Sequence, residues 1–468
     1  MELHTTGAPD PRLLELSRGL AEQEKHLISD AFAQSHNSFA IRVTQKIPQL
    51  AWLAVRRKGG IECTIGRSVD EFENGFFEGV WAGSFLDFSS ALGSETYGSG
   101  IYRSKGRTTF IQRKDVREFT FILRDRLNQV EYISNSLCFA LSAARIGPDS
   151  ALMGLLSDNL VDSTFEEGKK GFHAMNPVVA QTTEYTLYRI CYSNFWFDDD
   201  GLLRFDPPVA VRDFKDWNDY KGYLLATTQA VFSNGGNRQR KLPLVPLSSV
   251  SRGYDSPAVT AIANQCGCQE AVTLRVNGDN GRAIARMLGM RPLVFPHVLK
   301  QRSKGLTRTI EGYISKLSHE FVATAGIGDD INSISFESVL NGKIFLSGVG
   351  GDGNWQKDAK PNLGLKKSIP QSTSLTEFRL RVGFAHYPPI LAGSLCTSSL
   401  IRIANSDEMS GYSVNQAYDR PIARRFAEEA GIPRSSFGIK KSAQNPFFTN
   451  RNEIWREAVT EVMKRYTI

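Results

Sequence analysis

The sequence predicts two domains of different class: a β-rich α+β domain over residues 1–235, then an α/β domain built on a parallel sheet over residues 236–468. Three observations lead there. The chain has 468 residues, more than one hydrophobic core usually organises. From about Phe39 to Phe205, short β-rich runs follow one another with glycine-bearing turns between several of them. Beyond residue 241 apolar strands alternate with helical patterns, the arrangement that specifies a parallel sheet with right-handed crossovers.

Residues 12–35 space Leu13, Leu14, Leu16, Leu20, Leu27, Ile28 and Phe32 as on an amphipathic helix or helix pair. Strands are expected at Leu50–Val55, Ile61–Ile65, Gly79–Phe85, Thr108–Ile111, Glu118–Leu123, Glu131–Ile133 and Glu184–Tyr192. Phe195–Phe205 reads as a hairpin turning at Asp200-Gly201, its aspartates belonging to a solvated turn and not to a metal site. The polar stretch Ser233–Lys241 interrupts the apolar periodicity before it and marks the boundary. Then come a strand (Leu242–Val250), a helix (Pro257–Cys266), a strand (Glu270–Val276), a helix (Gly281–Leu288) and strands at Arg291–Phe295 and Lys343–Ser347.

The apolar and charged fractions, 41% and 22%, are those of a folded globular chain. The net charge of +7 is spread over short clusters such as Arg56-Arg57-Lys58 and Arg238-Gln-Arg-Lys241 without interleaved aromatics. Nucleic acid is therefore not expected as a partner, whereas a small anion is compatible. Six scattered cysteines without a CxxC pair fit a reduced, cytoplasmic protein, and Cys266-Gly-Cys268 lacks the further ligands a zinc site needs, so no zinc is expected. Met1-Glu-Leu-His4 carries no export pattern, and the longest apolar runs, such as Leu137–Ala144, are too short to span a bilayer; no membrane partner is expected.

Chemistry concentrates in two turns. Ser251-Arg-Gly-Tyr-Asp-Ser256 follows one predicted strand and opens a helix, the layout in which backbone amides and the helix dipole face an anion. Ser251 and Ser256 offer hydroxyls, Gly253 allows close approach, Asp255 is a candidate magnesium ligand, and Pro257 suits the first helical turn. An ordinary capped strand-turn-helix connection is the competing explanation. The second turn, Ser347-Gly-Val-Gly-Gly-Asp352-Gly-Asn354, also follows an apolar strand, so both can face one crevice at the carboxyl ends of the strands.

The first turn resembles the Ser-Gly-Gly-x-Asp-Ser pyrophosphate loop of the N-type ATP pyrophosphatases, and the second resembles the Ser-Gly-x-Gly-x-Asp turn of asparagine synthetases. Glu408-Met-Ser-Gly-Tyr-Ser-Val, Tyr418-Asp-Arg-Pro-Ile-Ala-Arg-Arg425, Glu429-Ala-Gly-Ile-Pro-Arg434 and Phe437-Gly-Ile-Lys-Lys441 are similar to the closing segment of asparagine-synthetase-like proteins. The likeness covers roughly residues 240–445. It implies an adenine nucleotide alpha hydrolase-like fold, with ATP and Mg2+ as cofactors. It also implies an AMP- and pyrophosphate-forming ligase that adenylates a carboxylate and passes it to an amine. By motif position, Ser251, Arg252, Gly253, Tyr254, Asp255 and Ser256 would meet phosphates, Leu274–Val276 and Ser347-Gly348 would hold adenosine, and Asp255 and Asp352 would hold magnesium. Lys440 or Lys441 would steady the transition state; a solvated surface pair is the alternative for those lysines.

The departures redirect the expectation. Arg252 replaces a loop glycine, Val349 stands where asparagine synthetases carry a glutamate, and Glu2 stands where glutamine-hydrolysing members expose a cysteine. Gly79–Phe85 and Val130–Ala140 resemble a worn glutaminase-like domain, with Cys63 and Cys138 expected in core or strand positions and no nucleophile left. The partners implied are a small-molecule or peptide carboxylate and an amine acceptor, without glutamine hydrolysis, and with room for a protein partner. Two alternatives stand beside this: a 7-cyano-7-deazaguanine synthase-like enzyme acting on a deazapurine carboxylate or within a modification or defence system, and a non-catalytic nucleotide-binding module. His297, His319 and His386 are assigned no role.

Overall fold

The computed structural model describes residues 38–93, 95–112, 119–157, 178–190, 193–198, 201, 203–206, 212–275, 280–297, 319–320, 329–357, 375–415, 418–438 and 451–467. The first half carries β1 (Ser38–Thr44), β2 (Trp52–Arg57), β3 (Gly60–Gly66), β4 (Asp70–Phe72), β5 (Gly75–Trp81), β6 (Thr96–Ser104), β7 (Arg107–Ile111), β8 (Thr120–Asp125), β9 (Val130–Ser134), β10 (Val178–Gln181), β11 (Tyr185–Ile190), β12 (Asn194–Phe197) and β13 (Leu203–Asp206). They form a seven-stranded sheet, β1-β3-β2-β9-β8-β11-β10, and a six-stranded sheet, β13-β12-β7-β6-β5-β4.

Alternation within each strand sorts side chains to the two faces. In β2, Trp52 and Ala54 enter a core shared with Phe76, Ile101, Phe110 and Phe195 of the other sheet. Leu53 faces the opposite way, into a cluster with the helix Leu137–Ala143. That helix begins at Ser136, whose hydroxyl accepts a hydrogen bond from Phe139 N at 3.0 Å. The expected hairpin forms between β12 and β13.

The strand expected at Gly79–Phe85 lies earlier, ending at Trp81 where Ala82-Gly83 turns the chain. Its neighbour β6 was not anticipated because Gly98 and Gly100 remove the apolar alternation. Those glycines are required by the pairing. Gly79 and Gly98 face one another at φ of 106° and 143°, and a Cβ on either would collide with a carbonyl of the opposing strand.

The second half carries β14 (Val245–Ser249), β15 (Glu270–Arg275), β16 (Arg291–Pro296), β17 (Lys343–Leu346) and β18 (Ala385–His386) in the order β16-β15-β14-β17-β18, every neighbouring pair parallel. Numbered within this sheet the order is 3-2-1-4-5, which reverses between β14 and β17. Its strands are buried on both faces: Leu247, Val272 and Phe345 enter one cluster, and Ala271, Ile344 and Leu346 another. Helices Asp255–Gln265 and Arg282–Met287 lie within 3 residues of the expected bounds, and β14 is shorter than expected at both ends.

The halves are laced together. The helix Trp217–Gly235, upstream of residue 236, packs Trp217, Tyr220, Leu224 and Val231 into the core beneath the parallel sheet. The helix Arg451–Met463 returns to the first half, where Trp455 and Val459 join the cluster around Leu137–Ala143 and Tyr466 stacks on Phe139 at 4.7 Å. Across the contact, Leu50 N donates to Leu380 O at 3.1 Å and Arg379 pairs with Glu78, both side chains buried. The expected opening helix over residues 12–35 lies outside the described residues. Among those described, no helix is long and apolar enough to cross a membrane.

Candidate functional site at the sheet switch point

In an open parallel sheet the crevice lies beyond the carboxyl ends of the strands, where the order reverses. Here that point falls between β14 and β17, the two strands whose exits carry the Ser251–Ser256 and Ser347–Asp352 turns. The first turn is held by its own hydroxyls. Ser251 N donates to Ser256 Oγ at 2.9 Å, the two serine hydroxyls meet at 2.8 Å, and Gly253 N donates to Ser251 Oγ at 3.3 Å. Asp255 opens an 11-residue helix, so its carboxylate and the loop stand at the positive end of that helix. Ser251, Arg252, Gly253, Asp255 and Ser256 are half-buried, whereas Tyr254 is buried.

The second turn presses on the first. A Cβ on Gly348 would lie 2.8 Å from Ser256 N, and one on Gly351 would overlap the Asp255 carboxylate. Only glycine lets the two turns meet so closely. Gly350 adds a left-handed φ of 98° that turns the chain into the short helix Gly351–Asn354. Ser347 Oγ and His386 Nε2 share a 2.8 Å hydrogen bond, which ties this exit to β18. Leu274, on β15, and Ser347, after β17, stand on either side of β14. The backbone of Asp352 lies in the Gly351–Asn354 helix; its side chain, Val276, Lys440 and Lys441 lie outside what is described.

The segment Tyr418–Gly438 closes over the first turn. Gly438 N donates to Arg252 O at 2.8 Å, and Arg252 Nε donates to Ser436 O at 3.3 Å, so the arginine in place of a loop glycine reaches this segment. Tyr254 packs against Tyr418 and Phe437 at 5.0 and 6.3 Å and accepts a 2.7 Å hydrogen bond from Arg424. Burial pushes the Tyr418 hydroxyl pKa upward, with the charge of Asp255 adding to it.

Arg420, with no exposed side-chain surface, donates from Nη1 to Asp255 Oδ2 and lies 4.3 Å from the Tyr418 ring centroid. Asp255 Oδ1 is buried under Gly351 and finds no hydrogen-bond donor among the described residues. Such an orphan acceptor suits a cation, so the donor set fits a magnesium ion shared with phosphate. Among the described residues no three His, Cys, Asp or Glu side chains cluster, but magnesium shared with a triphosphate needs only one or two carboxylates.

Sequence reasoning placed Arg420 and Arg424 in the Tyr418–Arg425 segment and considered His386, but gave none of the three a role. The spacing of the two arginines, one helical turn apart behind Pro421, was visible, but charges at i and i+4 ordinarily mark a solvated face. Cys63 and Cys138 are buried, their thiol pKa values raised by desolvation. Burial likewise pushes Cys266 and Cys268 to about 11. A groove of about 440 Å³ on the outer face of the seven-stranded sheet is lined by Arg42, Arg57, Arg145, Tyr132 and Tyr185. Arg57 already faces Glu62 at 3.5 Å there. No protein-family model matches the sequence, and no curated protein matches it.

Proposed function

We propose that this chain is an ATP-dependent, AMP- and pyrophosphate-forming ligase with an adenine nucleotide alpha hydrolase-like second domain. It adenylates a carboxylate and transfers the acyl group to an amine, without glutamine hydrolysis. The observation that carries this reading is the meeting of two glycine-bearing turns at the switch point of a 3-2-1-4-5 parallel sheet, with Gly348 and Gly351 packed on the first turn of helix Asp255–Gln265. The half-buried loop offers backbone amides and a helix N-terminus to phosphate, and Asp255 and Asp352 are the residues that would hold magnesium. The backbone near Leu274 and Ser347 would flank the adenosine. When bound, magnesium would neutralise phosphate charge and favour departure of pyrophosphate. The acyl acceptor in this reading is an amine other than glutamine-derived ammonia; of the cysteines of the first half, Cys63 and Cys138 are packed in core and strand.

A second reading has its own observation. The Asp255–Arg420 pair and the Ser251–Ser256 hydroxyl contact satisfy part of the loop internally, as a nucleotide-binding module without turnover would. Release of AMP and pyrophosphate from ATP, measured across a panel of carboxylates and amines, separates the two. The ligase reading expects equimolar release that depends on the carboxylate. Tight ATP binding with no pyrophosphate from any pair selects the module. Asp255→Ala is expected to lose the magnesium-dependent part of ATP binding, and retention of that part would remove the loop assignment.

A further inference from the structure

The groove on the outer face of the seven-stranded sheet lies apart from the switch point and has a chemistry of its own. Strand register sets its residues on one face. Val55 stands opposite Glu62 on one side and Tyr132 on the other, Leu53 opposite Thr64, and Asp125 opposite Tyr185. From the edge strand β1, Arg42 Nη2 donates to Thr64 Oγ1 at 3.3 Å. The end of the helix Leu137–Ala143, with Ala144 and Arg145 beyond it, makes the remaining wall. Leu53 is buried, and Val55, Ala143, Tyr132 and Tyr185 are half-buried, so the floor is apolar and the walls aromatic. A volume of about 440 Å³ is that of a small-ligand site.

Arg145 is the uncommitted cation of this groove. It follows the helix cap with a φ of 56°, a left-handed conformation that glycine adopts freely and arginine only at a cost. Backbone bonds close the turn, Arg145 N to Ser142 O and Ile146 N to Leu141 O, both at 3.0 Å. The guanidinium has no hydrogen-bond or ion-pair partner among the described residues. A cation at a helix C-terminus is mildly favourable, which accounts for the charge but not for arginine where glycine makes the same turn without strain. Burial and the charge of Asp125 raise the Tyr132 hydroxyl pKa while Arg57 and Arg145 oppose them, so both guanidinium groups stand near that ring. The carboxylates are engaged or distant. Asp125 accepts from Asn128 N and Nδ2 at 2.9 and 2.8 Å. Glu62 faces Arg57 at 3.5 Å with side-chain exposures of 75% and 51%, a pair weak enough for Arg57 to leave. Glu184, exposed, adds its charge at Tyr185. In the strand order, β9 with Tyr132 lies between Arg57 on β2 and Asp125 on β8.

We propose that this groove binds a flat aromatic molecule carrying one anionic group, a carboxylate or a phosphate, with its ring against Tyr132 and Tyr185 and its anion on Arg145 and Arg57. Two tyrosine rings over an apolar floor match an aromatic body. Guanidinium groups present planar donor pairs that suit either anion. The inference is independent of the reading of the Ser251–Ser256 turn, since every lining residue of the groove belongs to the first half of the chain.

The test titrates the full chain with naphthoate and naphthyl phosphate, followed by ligand-observed NMR, with thermal melts to establish folding. Naphthamide and naphthylmethylamine supply the same ring neutral and cationic, and inorganic phosphate supplies an anion without the ring. The wild type is expected to bind at least one aromatic anion with a dissociation constant of about 1 mM or below, the tighter of the two identifying the head group. The amide, the amine and phosphate alone are expected to bind at least about fivefold more weakly. Arg145→Gly is expected to lose about fivefold or more of the affinity without melting earlier than wild type, because glycine suits the left-handed position. Should it melt earlier, Arg145→Asn, which also accepts that conformation, carries the same expectation. Arg57→Gln is expected to lose a similar factor, and Arg126→Gln, at an exposed position that does not line the groove, none. No saturable binding of either aromatic anion, equal or tighter binding of the amide or the amine, or full affinity in a folded Arg145 variant overturns the proposal.

Discussion

Arg379 joins the two halves of the chain, and its replacement by leucine has a calculable cost. Its Nη1 and Nη2 lie 2.5 and 2.9 Å from the two oxygens of Glu78 on β5, with side-chain exposures of 1% and 0%. Ser99 Oγ and Asn135 Nδ2 also donate to Glu78 Oε1, at 2.9 and 3.3 Å. Arg379→Leu therefore removes the bidentate cation from a buried carboxylate. Breaking one side of such a pair costs about 3–5 kcal/mol. At roughly 2–4 °C per kcal/mol for domains of 150–250 residues, the melting temperature should fall on the order of 10 °C. Urea unfolding followed by tryptophan fluorescence measures the loss directly, because Trp52 donates to Ser99 in the same network. Glu78→Gln/Arg379→Met removes both charges and should regain more than half of the loss. A single-variant loss below about 1 kcal/mol, or a double variant no better than the single, refutes the view that the uncompensated carboxylate accounts for most of the cost.

Three further outcomes follow from the packing. Burial raises the pKa of Glu377 above its ordinary 4.5, against hydrogen bonds from Ser136 and Tyr466 that lower it. The folded chain thus holds this proton more tightly than the unfolded chain, and stability falls as pH rises from about 4.5 through the folded value. Glu377→Gln should abolish that part of the fall above about pH 4.5 in urea titrations; an unchanged slope would assign it to other groups. Tyr220→Phe strips the 2.8 Å acceptor from the buried Trp355 Nε1 and should cost about 1–3 kcal/mol in the same assay, a loss under 0.5 refuting the dependence. Gly351→Ala puts a methyl on the Asp255 carboxylate. It should abolish magnesium-ATP binding in calorimetry at a stability cost of about 1–3 kcal/mol, and wild-type binding would show that the two turns need not touch.

Local signals carried much of the second half. Each strand from β14 to β17 is an apolar run bounded by turn residues, so periodicity located it to within 3 residues of its observed bounds. β18, two residues long, is too short to leave a pattern. β6 was hidden because the glycines that allow its pairing are the residues that erase a strand's alternation. Both turns of the candidate site were legible from their glycine, serine and aspartate content. The ion pair between them and the closing segment was not, since Asp255 and Arg420 are 165 residues apart.

By itself the sequence determined the change of texture near residue 240 and the two turns with their glycine, serine and aspartate residues, because these depend on neighbours in the chain. Only the tertiary structure decided the order 3-2-1-4-5 that sets the turns at one switch point, and the glycine contacts that press them together. It alone buried Arg420 against Asp255 and returned the last helix to the first half. Strand order and the burial of a charge are settled by contacts between distant segments, and the local pattern of a surface arginine and a buried one is the same.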